Sequence, residues 1–294
     1  MGNCFITKLK GVVADTHLAK MNELVLRTTS NESKIDVDGT KTITVKDMDG
    51  ANVLTTDKST YKNTISNTQI RSYCNSTNRY ISISDKFDIT FLGLNSVEID
   101  TSKLRYISNL IGIAFNSVSG YINLNDLAQM QKSILSISFA YMPNFIFDLN
   151  EISKFTNLST FSAFKIKSVT GNISSLPKTL TSLKIQSPSV NGTTTGLALF
   201  TALTSIDIFS SNVTGSIADL GSLSLTYLSA ANTSMTGSIE EYVRRRREHD
   251  VTGEINISVP STVTFNGKSI STIEEKQLSW TSSTITYDNT TINA

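Results

Sequence analysis

The sequence predicts a mainly β chain, built as a parallel β solenoid flanked by a small β N-terminal domain and a β C-terminal cap. Three observations carry that expectation. Ser, Thr and Asn number 41, 38 and 24, together 103 of 294 residues, and these residues serve strands and turns better than helix interiors. Hydrophobic residues still make up 39%, enough to bury a core, so global disorder is not expected. The third observation is a repeat of about 22 residues, marked by glycines and by a recurring apolar pattern upstream of each.

Residues 1–60 are expected to form the small N-terminal β domain. CFITKLKGVV and ELVLRTTS alternate as short strands do, and KIDVDGTKTITVKDMDGANVLT predicts strands joined by turns at Asp38-Gly39 and Asp49-Gly50. Residues 61–80 are polar and weakly patterned, as a linker is.

Residues 81–240 hold the repeat. VSGYI (118–122), VTGNI (169–173), VNGTT (190–194), VTGSI (213–217) and MTGSI (235–239) align on their glycines, and Gly171, Gly192, Gly215 and Gly237 follow one another at 21, 23 and 22 residues. Between Gly120 and Gly171 there is room for two units, the middle one centred on Ile137 and Phe139 without its glycine. Upstream, Leu180, Leu183, Ile185 and Val190 recur at identical offsets as Leu203, Ile206, Ile208 and Val213, then as Leu225, Leu228, Ala230 and Met235. Leu158, Phe161, Ala163 and Val169 match with one inserted residue, and Ile111, Ile113 and Val118 fit in part.

This pattern of apolar residues at offsets 0, 3, 5 and 10 with glycine at 12 resembles a leucine-rich repeat, in particular units of the form LxxLxLxxNxLxGxIP. One such unit cannot bury its own apolar face, and five to seven stacked units build a continuous core. The sequence departs from the family at offset 8, where the ladder asparagine is replaced by Pro188, Ser211 and Thr233, and after the Ile position, where proline is replaced by Thr195, Ala218 and Glu240. The internal hydrogen-bond ladder is therefore expected to be satisfied by other groups.

Residues 241–294 read as a helix followed by a β cap. Ile239 to His249 is amphipathic, acidic at its start and basic at its end, which suits the helix dipole. Turns are expected at Asn266-Gly267 and Asp288-Asn289. A segment that leaves the repeat is what covers the last apolar face of a solenoid.

The opening CFITKLKGVV, the GSIEEYV helix after the repeats and the ending LSWTSSTITYDNTTINA resemble head-fibre and related appendage proteins of crAss-like phages of Bacteroidetes. That resemblance implies a virion protein made in the host cytoplasm, a homo-oligomer (trimer or dimer), attached to the capsid or another virion protein through its N-terminal region and exposing a distal module to a host surface glycan or protein. The alternative is a bacterial surface adhesin of leucine-rich-repeat type, against which the N-terminus counts, because MGNCFITKLKGVVADTH has no apolar segment of signal-peptide kind.

Other classes are argued against by charge and by the scarcity of catalytic side chains. Lys plus Arg number 26 against 25 Asp plus Glu, without the basic excess of a nucleic-acid or membrane binder. Cys4, Cys74, His17 and His249 lack metal-ligand spacing, so neither a metal nor another cofactor is expected. Asp36-Val37-Asp38-Gly39 opens like a calcium loop but has Asp47 where the bidentate Glu belongs. His17 has no GxSxG partner, the Arg244–Arg247 run fits a solvated helix face or pairing with neighbouring acids or a partner subunit, and Trp280 fits packing in the terminal β segment, with an exposed carbohydrate platform as the sharper alternative. No pair of carboxylates stands out for glycan cleavage, so no enzyme is expected.

Binding is expected on the strand positions between the core residues, which solenoids present as an extended concave face. Here these are Phe164, Lys184, Gln186, Asp207, Phe209 and Tyr227, mixed in charge and half aromatic, a set suited to a polar ligand or a glycan.

Overall fold

The computed structural model describes residues 24–28, 34–39, 43–47, 52–56, 63–66, 80–83, 89–105, 107, 109–251, 253–270 and 274–293. It divides into two compact units, residues 1–112 with 118–130 and residues 113–117 with 131–294. CFITKLKGVV, His17, Cys4 and Cys74 lie outside the described residues.

The first unit carries β1 (Leu24–Thr28), β2 (Lys34–Gly39), β3 (Ile43–Asp47), β4 (Asn52–Thr56), β5 (Asn63–Ser66), β6 (Tyr80–Ile83), β7 (Ile89–Asn95) and β8 (Val97–Asp100). After β9 (Gly112–Asn116), β10 (Ser119–Tyr121) returns to it and runs parallel to β8. One sheet has the order β10-β8-β1-β6-β3-β4, and a separate antiparallel group sets β2 between β5 and β7. Two expectations change here. Asp38-Gly39 does not turn β2 into β3: β2 runs on through Gly39, which pairs with Ile89, and β3 pairs instead with β4 and β6. The Asp-Gly signal is local, and long-range pairing of the Ile35 and Val37 strand overrides it. The stretch expected as a linker holds β5 and, at its end, β6, both fully paired. Asp49 and Gly50, between the paired β3 and β4, lie outside the described residues.

The second unit continues with β11 (Ser136–Asp148), β12 (Thr160–Asn172), β13 (Ser182–Ile185), β14 (Val190–Thr193), β15 (Ser205–Asp207), β16 (Asn212–Ser216), β17 (Tyr227–Ser229), β18 (Ser234–Ser238), β19 (Glu254–Ser258), β20 (Val263–Phe265), β21 (Lys268–Ser269), β22 (Lys276–Trp280), β23 (Thr284–Tyr287) and β24 (Thr290–Asn293). It is a leucine-rich-repeat-like parallel β solenoid. One column, β11-β12-β13-β15-β17-β19, is parallel throughout and in register, so that Phe161, Leu183, Ile206, Leu228 and Ile257 stand side by side. A second parallel column follows the C-terminal half of β12 through β14, β16, β18 and β20.

The repeat is longer in the structure than in the glycine alignment. Counting from its first apolar residue, offsets 0, 3 and 5 are Ile89, Leu92, Leu94; Leu110, Ile113, Phe115; Ile134, Ile137, Phe139; and then the four units read from sequence, every one of them buried. Ile111, placed in the pattern by sequence, is 45% exposed, and Leu110 takes the core position. Counting from Leu110 also puts Gly120 at offset 10, two short of the other glycines; the carbonyl oxygen of Ile99 lies 2.3 Å from where its Cβ would be. In the middle unit Phe147 faces Val169 as Gly192 faces Val213, so a phenylalanine stands at the glycine position. Gly215 shows why glycine is kept elsewhere: φ is +109° and a Cβ would meet Thr194 Oγ1 at 2.1 Å.

What replaces the asparagine ladder is hydroxyl chemistry. Ser211 and Thr233, at offset 8, each donate to the carbonyl at offset 5 of their own unit, Ile208 and Ala230, at 2.7 Å. Ser187 Oγ instead donates to Val169 O at 2.9 Å. At offset 1, Thr181, Thr204 and Thr226 donate their hydroxyls to the carbonyls of Ser159, Thr181 and Thr204, 3.0–3.2 Å away in the preceding unit. Each unit also starts a helical turn on a capping side chain: Asp100, Asn123, Asp148, Asn172, Thr193, Ser216 and Ser238 all accept from a backbone N–H two or three residues on. Thus the Ser, Thr and Asn of the composition recur at fixed repeat positions.

After the last unit comes the helix Ile239–Glu248, capped by Ser238 and His249, with Ile239, Tyr242, Val243 and Arg246 buried. β22 pairs antiparallel with β19, and β23 and β24 follow as a meander. The turns at Asn266-Gly267 and Asp288-Asn289 join β20 to β21 and β23 to β24, with positive φ at all four residues, as two-residue hairpins require. Among the described residues, no helix is long and apolar enough to cross a membrane.

Candidate functional site

Alternation along the short parallel strands decides which side chains are offered outward. Offsets 3 and 5 point into the core, so offsets 2, 4 and 6 form the open face of the sheet. Much of that face is small and hydroxylated: Ser136, Thr160, Ser182 and Ser205 at offset 2, and Ser138, Ser162 and Ser229 at offset 4. The six residues singled out by sequence interrupt this background, and the structure brings them together.

Asp207 is the hub. It is 6% exposed and pairs with Lys184 of the neighbouring strand, Nζ to Oδ2 at 3.1 Å. Gln186 Nε2 donates to the same oxygen at 3.0 Å, and the Phe209 backbone N–H donates to Oδ1 at 3.3 Å. A carboxylate so placed needs these donors, because an unpaired buried charge is strongly destabilising. The Lys184 ammonium also lies 4.9 Å from the centroid of the Phe164 ring, a cation–π contact. Tyr227 closes the set on the other side, donating its hydroxyl to Glu275 Oε1 at 2.8 Å. Its phenol is pushed up to about 12 by burial first, then by the hydrogen bond to Glu275 and the negative charges of Asp207 and Glu275, with Ser229 acting the other way. The phenol is thus neutral and a donor at physiological pH.

Three participants were not among the residues chosen from sequence. Tyr141 packs edge-on against Phe164, centroids 5.4 Å apart. Lys165 sits between them, 4.8 Å from the Tyr141 centroid and 5.1 Å from that of Phe164. Glu275 comes from the C-terminal segment just ahead of β22. The signal for Tyr141 and Lys165 lies in the repeat frame, where both occupy offset 7; nothing local in the sequence points to Glu275.

The arginine run resolves into unlike parts. Arg244 pairs with Glu241 and Glu248 on the helix surface and holds the Glu241 carboxyl down at about 2. Arg246, by contrast, is 2% exposed and donates to the carbonyls of Leu223 and Leu225 and to the Tyr242 hydroxyl at 2.8–3.1 Å. Arg247 donates to Thr281 O and Thr284 O. The expectation of a solvated helix face, or of pairing with neighbouring acids, therefore holds for Arg244 and fails for Arg246, whose guanidinium turns inward to the carbonyls of Leu223 and Leu225. Trp280 packs as expected, with the Arg246 guanidinium 4.8 Å from its ring centroid.

No protein-family model matches the chain, and no curated protein matches it. Solved leucine-rich-repeat structures do. It is similar to an internalin C2 from Listeria monocytogenes (16% identity, over 66% of this chain and 88% of that one, TM-score 0.40) and to an internalin, inlF, from the same bacterium (16%, over 71% and 61%, TM-score 0.42). It is also similar to the plant peptide hormone receptor RGFR1 in complex with RGF2 (22%, over 55% and 26%, TM-score 0.39). The chain spans about a quarter of the length of RGFR1 and of a TDR receptor, 26% and 28%.

Proposed function

We propose that this is a binding protein and not an enzyme, and that its solenoid recognises a polar ligand on a cell surface, a glycan in the first instance, through the open face of the parallel column. The carrying observation is that Lys184, Gln186 and Asp207 form one hydrogen-bonded cluster, flanked by Phe164, Phe209 and Tyr227, on a face otherwise lined by small hydroxyl side chains. Prearranged polar groups beside aromatic rings bind sugars at little conformational cost, because few rotamers remain to be fixed. Weak single contacts then suffice if several copies act together.

The test is adsorption of the purified chain to Bacteroidetes cells before and after periodate oxidation of surface glycans, with Gln186→Ala/Phe209→Ala alongside. The expected result is adsorption that falls at least tenfold on oxidation and in the double variant, which keeps the circular dichroism of the parent chain. Adsorption indifferent to both treatments rejects the glycan-binding face.

The setting we propose follows the resemblance to head-fibre proteins: a homo-oligomeric appendage, trimer or dimer, held to a phage particle by the N-terminal region, with the solenoid presented outward. Quantitative mass spectrometry of purified particles should find the chain at fixed stoichiometry to the capsid protein. Recovery in the bacterial envelope and absence from particles would place it instead as a cellular adhesin of the same binding type.

A further inference from the structure

The repeat frame isolates two residues that the fold alone does not call for. At offset 7 the backbone passes through a left-handed residue, φ between +51° and +58°, in six units: Ser96, Ser117, Tyr141, Lys165, Ser210 and Asn232. Four of these are Ser or Asn; Asn is among the side chains that best tolerate this backbone conformation, and serine's is small. Tyr141 and Lys165 are bulky, are placed where a bulky side chain is disfavoured, and occupy adjacent units of the second structural unit. Departures from such a local rule concentrate where function requires them.

Their side chains meet the same neighbour. Lys165 Nζ is held by the rings of Tyr141 and Phe164, and Phe164 also carries the ammonium of Lys184. The two cations differ in how they are compensated. Lys184 is neutralised by Asp207, whereas no carboxylate among the described residues pairs with Lys165, whose charge faces only ring quadrupoles. Tyr141 is 45% exposed, so the station is open. An ammonium fixed by rings, unneutralised, and bordered by a hydroxyl-lined strand face is a site for a single anionic group on a hydroxyl-rich molecule.

We propose that Lys165, braced by Tyr141 and Phe164, anchors the carboxylate of an acidic sugar, so that the ligand of the open face is a uronate-bearing glycan. This rests on the binding-face reading above and names its ligand class. An acidic peptide offers the same charge, but peptides gain affinity by burying apolar anchors in desolvated pockets. The ring faces here are already occupied by cations, and the same two strands present Ser136, Ser138, Thr160 and Ser162 on this face.

The experiment measures binding of the full chain to polygalacturonate, alginate and hyaluronan oligosaccharides, with fully methyl-esterified polygalacturonate, dextran and poly-glutamate as comparisons. Lys165→Asn is the informative variant, because asparagine is already used at this repeat position. The expected result is binding to at least one uronate, weakened tenfold or more by methyl esterification and by Lys165→Asn, while the Tm of the variant equals or exceeds that of the parent chain. If methyl-esterified or neutral glycans bind as tightly and Lys165→Asn has no effect, the uronate assignment falls while the glycan-binding face stands. Poly-glutamate binding as tightly as any uronate overturns the choice of a sugar. Absence of binding to every glycan, together with cell adsorption indifferent to periodate, removes both readings.

Discussion

Arg246 shows how one side chain can finish a repetitive structure. In a solenoid the carbonyls of each unit are taken up by the next; after the last glycine unit the chain first passes through the helix Ile239–Glu248, before β19 pairs with β17. Here the carbonyls of Leu223 and Leu225 receive the Arg246 guanidinium, which stacks between the Tyr242 and Trp280 rings with centroids 5.4 and 4.8 Å away. Arg246→Met keeps the apolar stem and removes the donors, leaving two carbonyls and a phenol to be resatisfied. The expected cost is about 3 kcal/mol, from two to three lost hydrogen bonds to a charged group. It is read as a lower urea midpoint at constant denaturant slope, with Arg244→Met, on the exposed side of the same helix, close to the unaltered chain. Equal midpoints for the two variants would show that Arg246 carries no such role.

At the scale of elements, what the sequence reveals depends on how local the cause is. The strand–turn period was legible because burial of offsets 0, 3 and 5 is imposed in every unit, and of offset 10 in the three regular ones, and the Asn266-Gly267 and Asp288-Asn289 turns were legible because two-residue hairpins need positive φ at adjacent residues. Asp38-Gly39 misled for the complementary reason: it carries the same turn chemistry, but β2 finds its partners in β5 and β7, far along the chain. The capping column could have been read, since Asn172, Thr193, Ser216 and Ser238 each directly follow a repeat glycine. Aligning on glycine hid its earlier members, Asp100, Asn123 and Asp148, and misplaced Gly120. In the site, alternation alone delivered Lys184, Gln186 and Asp207 as neighbours. It could not deliver Tyr141 and Lys165, because each is a left-handed residue inside β11 or β12, where the simple in-and-out alternation of a strand breaks. Glu275 was invisible to any local rule, for only the antiparallel return of β22 along β19 brings it to Tyr227.

At the scale of the whole molecule, the second unit is quasi-one-dimensional: each strand of the open-face column is supported by its two neighbours, and stability is a sum of unit and interface contributions. Its C-terminal segment is then not an accessory. β19 pairs with β17 through Asn256, Ile257 and Ser258, Ile257 and Leu278 are both fully buried, and Arg247 ties the helix to Thr281 and Thr284. Ending the chain at residue 250 uncovers the β17 edge and the apolar layer containing Leu225 and Leu228, and an uncovered parallel edge with an apolar face is a template for aggregation. Ending it at residue 289 removes β24, whose residues are mostly exposed and which pairs antiparallel with β23. We therefore expect the shorter chain to be recovered as aggregates, or as a species that binds a hydrophobic dye, and the longer one to remain soluble with the circular dichroism of the full chain. If the chain ending at residue 250 were soluble, monodisperse and cooperatively unfolding, the solenoid would be closed by its own last repeat, and the β19–β24 segment would be free to serve the surface that Glu275 already touches.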